Sequence, residues 1–216
     1  MIRLLSRGRL AVELSKLKVF ENADINSEQY PTDSEIAADV LWDASYKNDI
    51  EGKTIADLGC GTGILGIGAL LLGAKLVYFI DKDQSALDIA KENFKGIGAD
   101  ASEESKAVFI CKDIKDFSEK ADIVLQNPPF GTKTRHADRD FLLKAFDAAR
   151  IVYSFHKTST KGFIEKISQD ANFKITQVYD FEFPIKMSQL FHKKHIHRIK
   201  VSCWRMEKVD LMNVKV

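Results

Sequence analysis

From residue 54 onward, short apolar runs alternate with helix-length stretches, and no other feature restricts the fold as strongly. Residues 55–58, 76–80, 108–111, 123–125 and 151–155 read as short strands. Residues 64–72, 84–94, 141–150 and 159–171 read as helices, and 173–183 and 198–206 as two long alternating strands. The first five strands are separated by helices or helix-length segments, and the last two are expected to close as an antiparallel pair. Repeated βα units of this kind predict an α/β protein: a seven-stranded, mostly parallel, doubly wound sheet with helices on both faces. Ligands of such sheets bind beyond the carboxyl ends of the strands, where the strand order reverses.

Upstream, Leu10, Leu14 and Leu17 share one face of a helix predicted over 1–20. Thr32, Asp33, Ser34 and Glu35 then signal the start of a second helix, whose Ile36, Val40 and Leu41 share a face. The chain has 216 residues, 45% of them hydrophobic, which is enough for a core without disulfide or metal staples. It carries no repeat and no linker-like tract. One domain is therefore expected over 1–216, with N-terminal helices over 1–50 and the catalytic core over 51–216. Cys60, Cys111 and Cys203 lie too far apart for a zinc ribbon or disulfide framework, which points to a reducing compartment. The longest apolar stretch, 64–72, falls far short of the ~20 residues that span a bilayer. Arg3, Arg7 and Arg9 precede no signal-peptide run. A cytoplasmic protein with no membrane partner is expected.

Asp57-Leu58-Gly59-Cys60-Gly61-Thr62-Gly63 joins the first strand to its helix, with Ile64 opening that helix. The glycines permit a sharp turn and a close approach to a ligand. Asp81 ends the next strand, where a carboxylate can accept both hydroxyls of a ribose. The turn lacks the G-x-G-x-x-G spacing of dinucleotide sites and opens on an acid, which would repel a pyrophosphate and attract an amine. Asp57 could instead cap the turn. The pattern resembles the cofactor site of class I methyltransferases, whose S-adenosylmethionine carries an ammonium and a sulfonium but no phosphate. That resemblance makes the predicted fold Rossmann-like and places Asp113, after the third strand, at the cofactor's adenine.

Asn127-Pro128-Pro129-Phe130 ends the fourth strand. Pro128 forces Asn127 into an extended conformation. The Asn127 amide oxygen and the Pro128 carbonyl can each accept one N–H of an exocyclic amine, and Phe130 can stack on a base. The target base must be single-stranded or flipped. Alone, this turn fits methyltransferases acting on adenine N6, guanine N2 or a protein glutamine.

The choice narrows with Glu28-Gln29-Tyr30-Pro31-Thr32, Phe130-Gly131-Thr132-Lys133, Tyr153-Ser154-Phe155-His156-Lys157-Thr158-Ser159-Thr160 and Phe191-His192-Lys193-Lys194. In this order they resemble the methyltransferase-like protein 5 family, rRNA adenine N6-methyltransferases, from about residue 29 to 194. The resemblance implies a single small-subunit rRNA adenine as target. It implies cofactor contacts at Gln29, Thr32, Gly59, Thr62, Asp81, Asp113 and Ile114, beside Asp57, Gly61, Gly63 and Ile64 of the turn, and an amine site at 127–130. It also implies, in eukaryotes, a small zinc-binding activator subunit on the sheet edge. Thr62 departs from the cysteine common in eukaryotic members, and 97–107 looks like a local insertion.

The segment 186–200 carries five Lys or Arg, three histidines and no acid, so Lys193, Lys194 and Arg198, with Lys133 and Arg135, are candidate RNA contacts. Methyl transfer from a sulfonium needs no metal, and none is expected. The expected partner is rRNA or a ribosomal subunit. A glutamine methyltransferase would be expected to carry a longer N-terminal substrate domain than the 56 residues before the glycine turn. A non-catalytic RNA scaffold would not need 127–130 intact.

Overall fold

The computed structural model describes residues 5–19, 32–97, 106–129, 137–186 and 196–210. Helix α1 spans Arg7–Ser15 and α2 Ser34–Tyr46. They are followed by β1 (Thr54–Leu58), α3 (Ile64–Leu71), β2 (Leu76–Asp81), α4 (Gln84–Ile97), β3 (Lys106–Cys111) and β4 (Ile123–Gln126). Then come α5 (Ala137–Ala148), β5 (Ile151–Lys157), α6 (Lys161–Asp170), β6 (Phe173–Lys186) and β7 (Ile196–Lys208). The sheet order is β3-β2-β1-β4-β5-β7-β6. Strands β1 to β5 pair in parallel, and β7 inserts antiparallel between β5 and β6. The order reverses between β1 and β4, so the glycine turn and the Asn127 turn leave the sheet side by side.

Strand alternation divides the core in two. Ile55, Val77, Phe79, Ile123, Leu125, Tyr153 and Phe155 face α1, α2 and α3. Ala56, Leu58, Ile80, Val124, Val152 and Trp204 face α5 and α6. Up to their carboxyl ends the central strands are mostly apolar on both faces, as suits strands covered by helices on both sides.

The first helix is shorter than the predicted 1–20. Ser6 caps its start by accepting from Arg9 N–H at 3.3 Å, and Lys16 ends it. The chain then meets α4, where Lys18 N–H donates to Asn93 Oδ1 at 2.8 Å and the Asn93 amide donates back to the Lys18 carbonyl at 3.0 Å. Helix α5 starts and stops earlier than predicted, and both final strands run longer; Arg198 lies in β7, as the predicted strand over 198–206 had it.

Behind α2 a buried ion pair fastens the helical layer to the sheet. Asp49 accepts from Arg205 Nε at 2.8 Å and from the Tyr153 hydroxyl at 2.7 Å. Tyr179 donates to Asp43 of α2.

Candidate cofactor and base site

The glycine turn is built on left-handed backbone. Gly59, Gly61 and Gly63 have φ of +66°, +54° and +90°, which side chains with a Cβ rarely adopt. Gly59 and Cys60 N–H both donate to the Ile80 carbonyl, at 2.8 and 3.0 Å, so the turn folds over the end of β2. There Asp81 accepts from Gly61 N–H through Oδ2 at 2.9 Å and from Asp83 N–H through Oδ1 at 3.0 Å. Thr62 is buried, and its carbonyl accepts from Asn93 Nδ2 at 3.0 Å.

Asp57 is 1% exposed and its Oδ2 accepts from Gly66 N–H, in the first turn of α3, at 2.9 Å. The acid therefore does cap the helix that follows the turn. Burial pushes its pKa up to about 7, opposed by the Gly66 bond and assisted by the Asp81 charge. A cation arriving beside this carboxyl would pull it back to the charged form.

Asp113 is exposed and caps a short 3-10 turn (Ile114–Asp116), accepting from Lys115 N–H at 3.0 Å; Ile114 is buried beneath. Ile64 is the first residue of α3, half-buried. Gln29 lies outside the described residues. So do Phe130, Lys133, Arg135, Lys193 and Lys194. Arg198 stands in β7 opposite Pro184, and its side chain lies outside the description.

At the end of β4 the chain turns through Asn127, buried Pro128 and half-buried Pro129. Asn127 Nδ2 donates to Thr32 Oγ1 at 2.9 Å. Among the described residues its Oδ1 is buried with no hydrogen-bond partner. Buried acceptors are nearly always paired, so this atom is open to a further donor; Gln126 Oε1 and Trp204 Nε1 are likewise without a partner among the described residues. Thr32, implied by resemblance to touch the cofactor, is thus found bonded to the Asn127 amide.

Sequence reasoning missed Asn93, which ties the turn to the N-terminal segment. Its one signal is an Asn in the middle of an amphipathic helix, where propensity disfavours it. It also missed the polar row on the far face of β4 and β5. Gln126 Nε2 donates to Ser154 Oγ at 2.9 Å, and Ser154 lies 2.6 Å from His156 Nε2. Burial lowers the His156 pKa to about 3, so the ring is neutral, and its tautomer sets which of Ser154 Oγ and His156 Nε2 donates. At 2% exposure His156 is a packed hydrogen-bonding residue.

The switch point therefore presents two acids and a glycine-lined backbone, and no described lysine or arginine bonds to the turn. At Gly61 a Cβ would meet open space, so the turn has an open face. That set fits a cationic nucleoside free of phosphate, and with an amine acceptor one strand away it makes the chain a Rossmann-like, S-adenosylmethionine-dependent class I methyltransferase. Residues 41–128, the common core, match the family Ribosomal protein L11 methyltransferase (PrmA). Over 87% of its length the chain is 37% identical to the rRNA N(6)-adenosine-methyltransferase METTL5 of Danio rerio, covering 92% of that protein. It is 38% identical to the Drosophila melanogaster counterpart, covering 90% of it. A crystal structure from Pyrococcus horikoshii, of a protein proposed to be an RNA methyltransferase, matches with a TM-score of 0.83 and 43% identity, covering 95% of this chain and 100% of that one. The chain belongs to the METTL5 family.

Proposed function

We propose that the chain methylates the N6 amine of one adenosine in ribosomal RNA. The observation that carries this reading is the buried, unpartnered Oδ1 of Asn127, an acceptor held beside the cofactor turn. Asn127 Oδ1 and the Pro128 carbonyl take the two amine N–H groups, Pro129 stiffens the turn, and Phe130 stacks on the base. Asp81 accepts the ribose hydroxyls, Asp57 faces the ammonium, Asp113 and Ile114 flank the adenine, and Gln29 and Thr32 close the other side. The backbone of Gly59, Gly61, Thr62, Gly63 and Ile64 lines the pocket. Bound S-adenosylmethionine supplies the methyl group from its sulfonium. On transfer the methyl–sulfur bond would break, S-adenosylhomocysteine would leave, and the methylated amine, then cationic, would give one proton to solvent, so no strong base is needed before attack; positioning and electrostatics carry the rate.

Lys133, Arg135, Lys193, Lys194 and Arg198 are proposed to meet RNA phosphates. We read 1–216 as one methyltransferase domain, supported by α1 and α2 sharing a core cluster with α3. A small zinc-binding activator subunit would sit on end strand β3, where Val108 is 40% exposed. Among the described residues no helix is long and apolar enough to cross a membrane, and a cytoplasmic site of action suits an rRNA substrate.

The test is transfer of label from S-adenosylmethionine to unmodified rRNA, ribosomal subunits or release factor, followed by digestion to nucleosides. N6-methyladenosine is expected. Label in protein alone, or in N2-methylguanosine, would overturn the reading.

A further inference from the structure

An Asn side chain carries an acceptor and a two-hydrogen donor on one carbon. Turned half a revolution, the Asn127 amide would set its own N–H groups against those of the target amine, donor facing donor. The observed orientation avoids this, because Nδ2 is occupied by Thr32 Oγ1, 95 residues away in sequence. We infer that Thr32 is a positioning residue for methyl transfer: by accepting from Nδ2 it holds Oδ1 of Asn127 toward the amine. This inference rests on the proposed amine site and deepens it.

Thr32 is suited to the task by where it stands. It is 6% exposed and immediately precedes Asp33, which caps α2 by accepting from Glu35 N–H at 2.9 Å. Helix α2 cannot shift easily. Ile36, Ala37, Val40 and Leu41 are buried, Asp43 is bonded to Tyr179, and Asp49 is clamped by Arg205 and Tyr153. The orientation of the amide is therefore inherited from the packing of the helical layer on the sheet. A hydroxyl can donate as well as accept, so Thr32 does not choose the orientation alone. The amine makes the choice from the other side, and only with Oδ1 inward are both partners of the amide satisfied.

The experiment compares Thr32→Val, close in shape but without the oxygen, with Thr32→Ser, which keeps it. Steady-state methylation, calorimetric affinity for S-adenosylhomocysteine and melting temperature are measured on the full chain. Thr32→Val is expected to lower kcat about 10- to 100-fold, as small misplacements of reacting groups do. KM for S-adenosylmethionine and the product affinity should change by much less than kcat, the pattern of an interaction felt mainly at the transition state. Thr32→Ser should recover most of kcat. Thr32→Ala gives the same comparison if the second methyl of valine unsettles the fold. A wild-type kcat in both Thr32→Val and Thr32→Ala overturns the inference. So does a loss carried wholly by weaker cofactor binding, which would make Thr32 a cofactor contact only, and so does serine failing as badly as valine. If the wild-type chain methylates some other amine, the proposed substrate fails, yet the same kcat comparison on that amine still decides the role of Thr32.

Discussion

Asp57→Asn tests whether the buried acid of the glycine turn is a proton-linked part of the cofactor site. The folded protein raises the Asp57 pKa from 3.8 to about 7, chiefly by burial. A folded value above the unfolded one means that folding takes up a proton. The contribution of this group to stability is complete below pH ~4 and is lost as pH rises through about 7. Three units at about 1.4 kcal/mol each make the loss roughly 4 kcal/mol across that interval. Asparagine keeps an oxygen for Gly66 N–H but cannot titrate, so the variant lacks this slope. Its absolute stability is a poor readout, because its own buried N–H groups cost about 1–3 kcal/mol if unpaired. The informative quantity is the difference between the two urea-derived stability curves from pH 4 to 8, in which other titrating groups cancel. Calorimetry of cofactor binding near pH 7, in buffers of different ionisation heats, gives a second reading. A cation near Asp57 should expel up to about half a proton from the wild-type protein and none from the variant. Parallel stability curves, or equal proton release, would refute the reasoning.

Three further predictions use simpler readouts. Asn127→Ala should cut methyl transfer by about 10²- to 10³-fold while affinity for S-adenosylhomocysteine stays near wild type; an equal fall in both would move Asn127 into the cofactor site. Gly59→Ala places a Cβ 2.8 Å from Phe141 Cε1 on backbone with φ +66°, so cofactor affinity should fall together with a stability loss of about 1–3 kcal/mol, read by calorimetry and thermal melting. Asp49→Ala takes the acceptor from Arg205 Nε and Nη2, leaves Arg205 with Thr176 and the exposed Glu207, and frees the Tyr153 hydroxyl, and urea unfolding should show a loss of about 1–3 kcal/mol. A loss below about 1 kcal/mol would mean the pair behaves like an exposed one.

The parts of the site that were legible in the sequence are those made by neighbouring residues. The glycine turn, Asp81 at a strand end and the Asn127 turn are each local, and periodicity alone put them at the carboxyl ends of strands. The parts that stayed hidden join residues far apart in the chain. Nothing in a single Thr before a helix says that it will meet an Asn 95 positions later, and nothing in Asp49 or Arg205 says that they will pair across 156. Asp57 shows a middle case. Its place in the motif was plain, and both capping the turn and facing an amine had a physical reason. Burial and the Gly66 bond establish the capping, and proton release on cofactor binding is what tests the amine. The first helix was overrun because Leu17 continues the apolar period, although the backbone after Lys16 is claimed by Asn93.

The same acids that should bind the cofactor already hold the turn in shape. Asp81 accepts from two backbone N–H groups, Asp57 from one, and Asn93 anchors the Thr62 carbonyl. These bonds need not break on binding. A carboxylate offers about four lone-pair directions, so Asp81 can receive ribose hydroxyls while keeping Gly61 and Asp83. The turn is therefore preorganised: its left-handed glycines are fixed before a ligand arrives, and the ordering cost is met by folding rather than by binding. Asn127 differs in one respect. Its donor end is satisfied and its acceptor end is not, so an amine N–H there pairs a buried oxygen that no other described residue reaches. On the proposed reading, the donor that fills this place is an N–H of the target amine, and the Asn127→Ala and Thr32 variants test it.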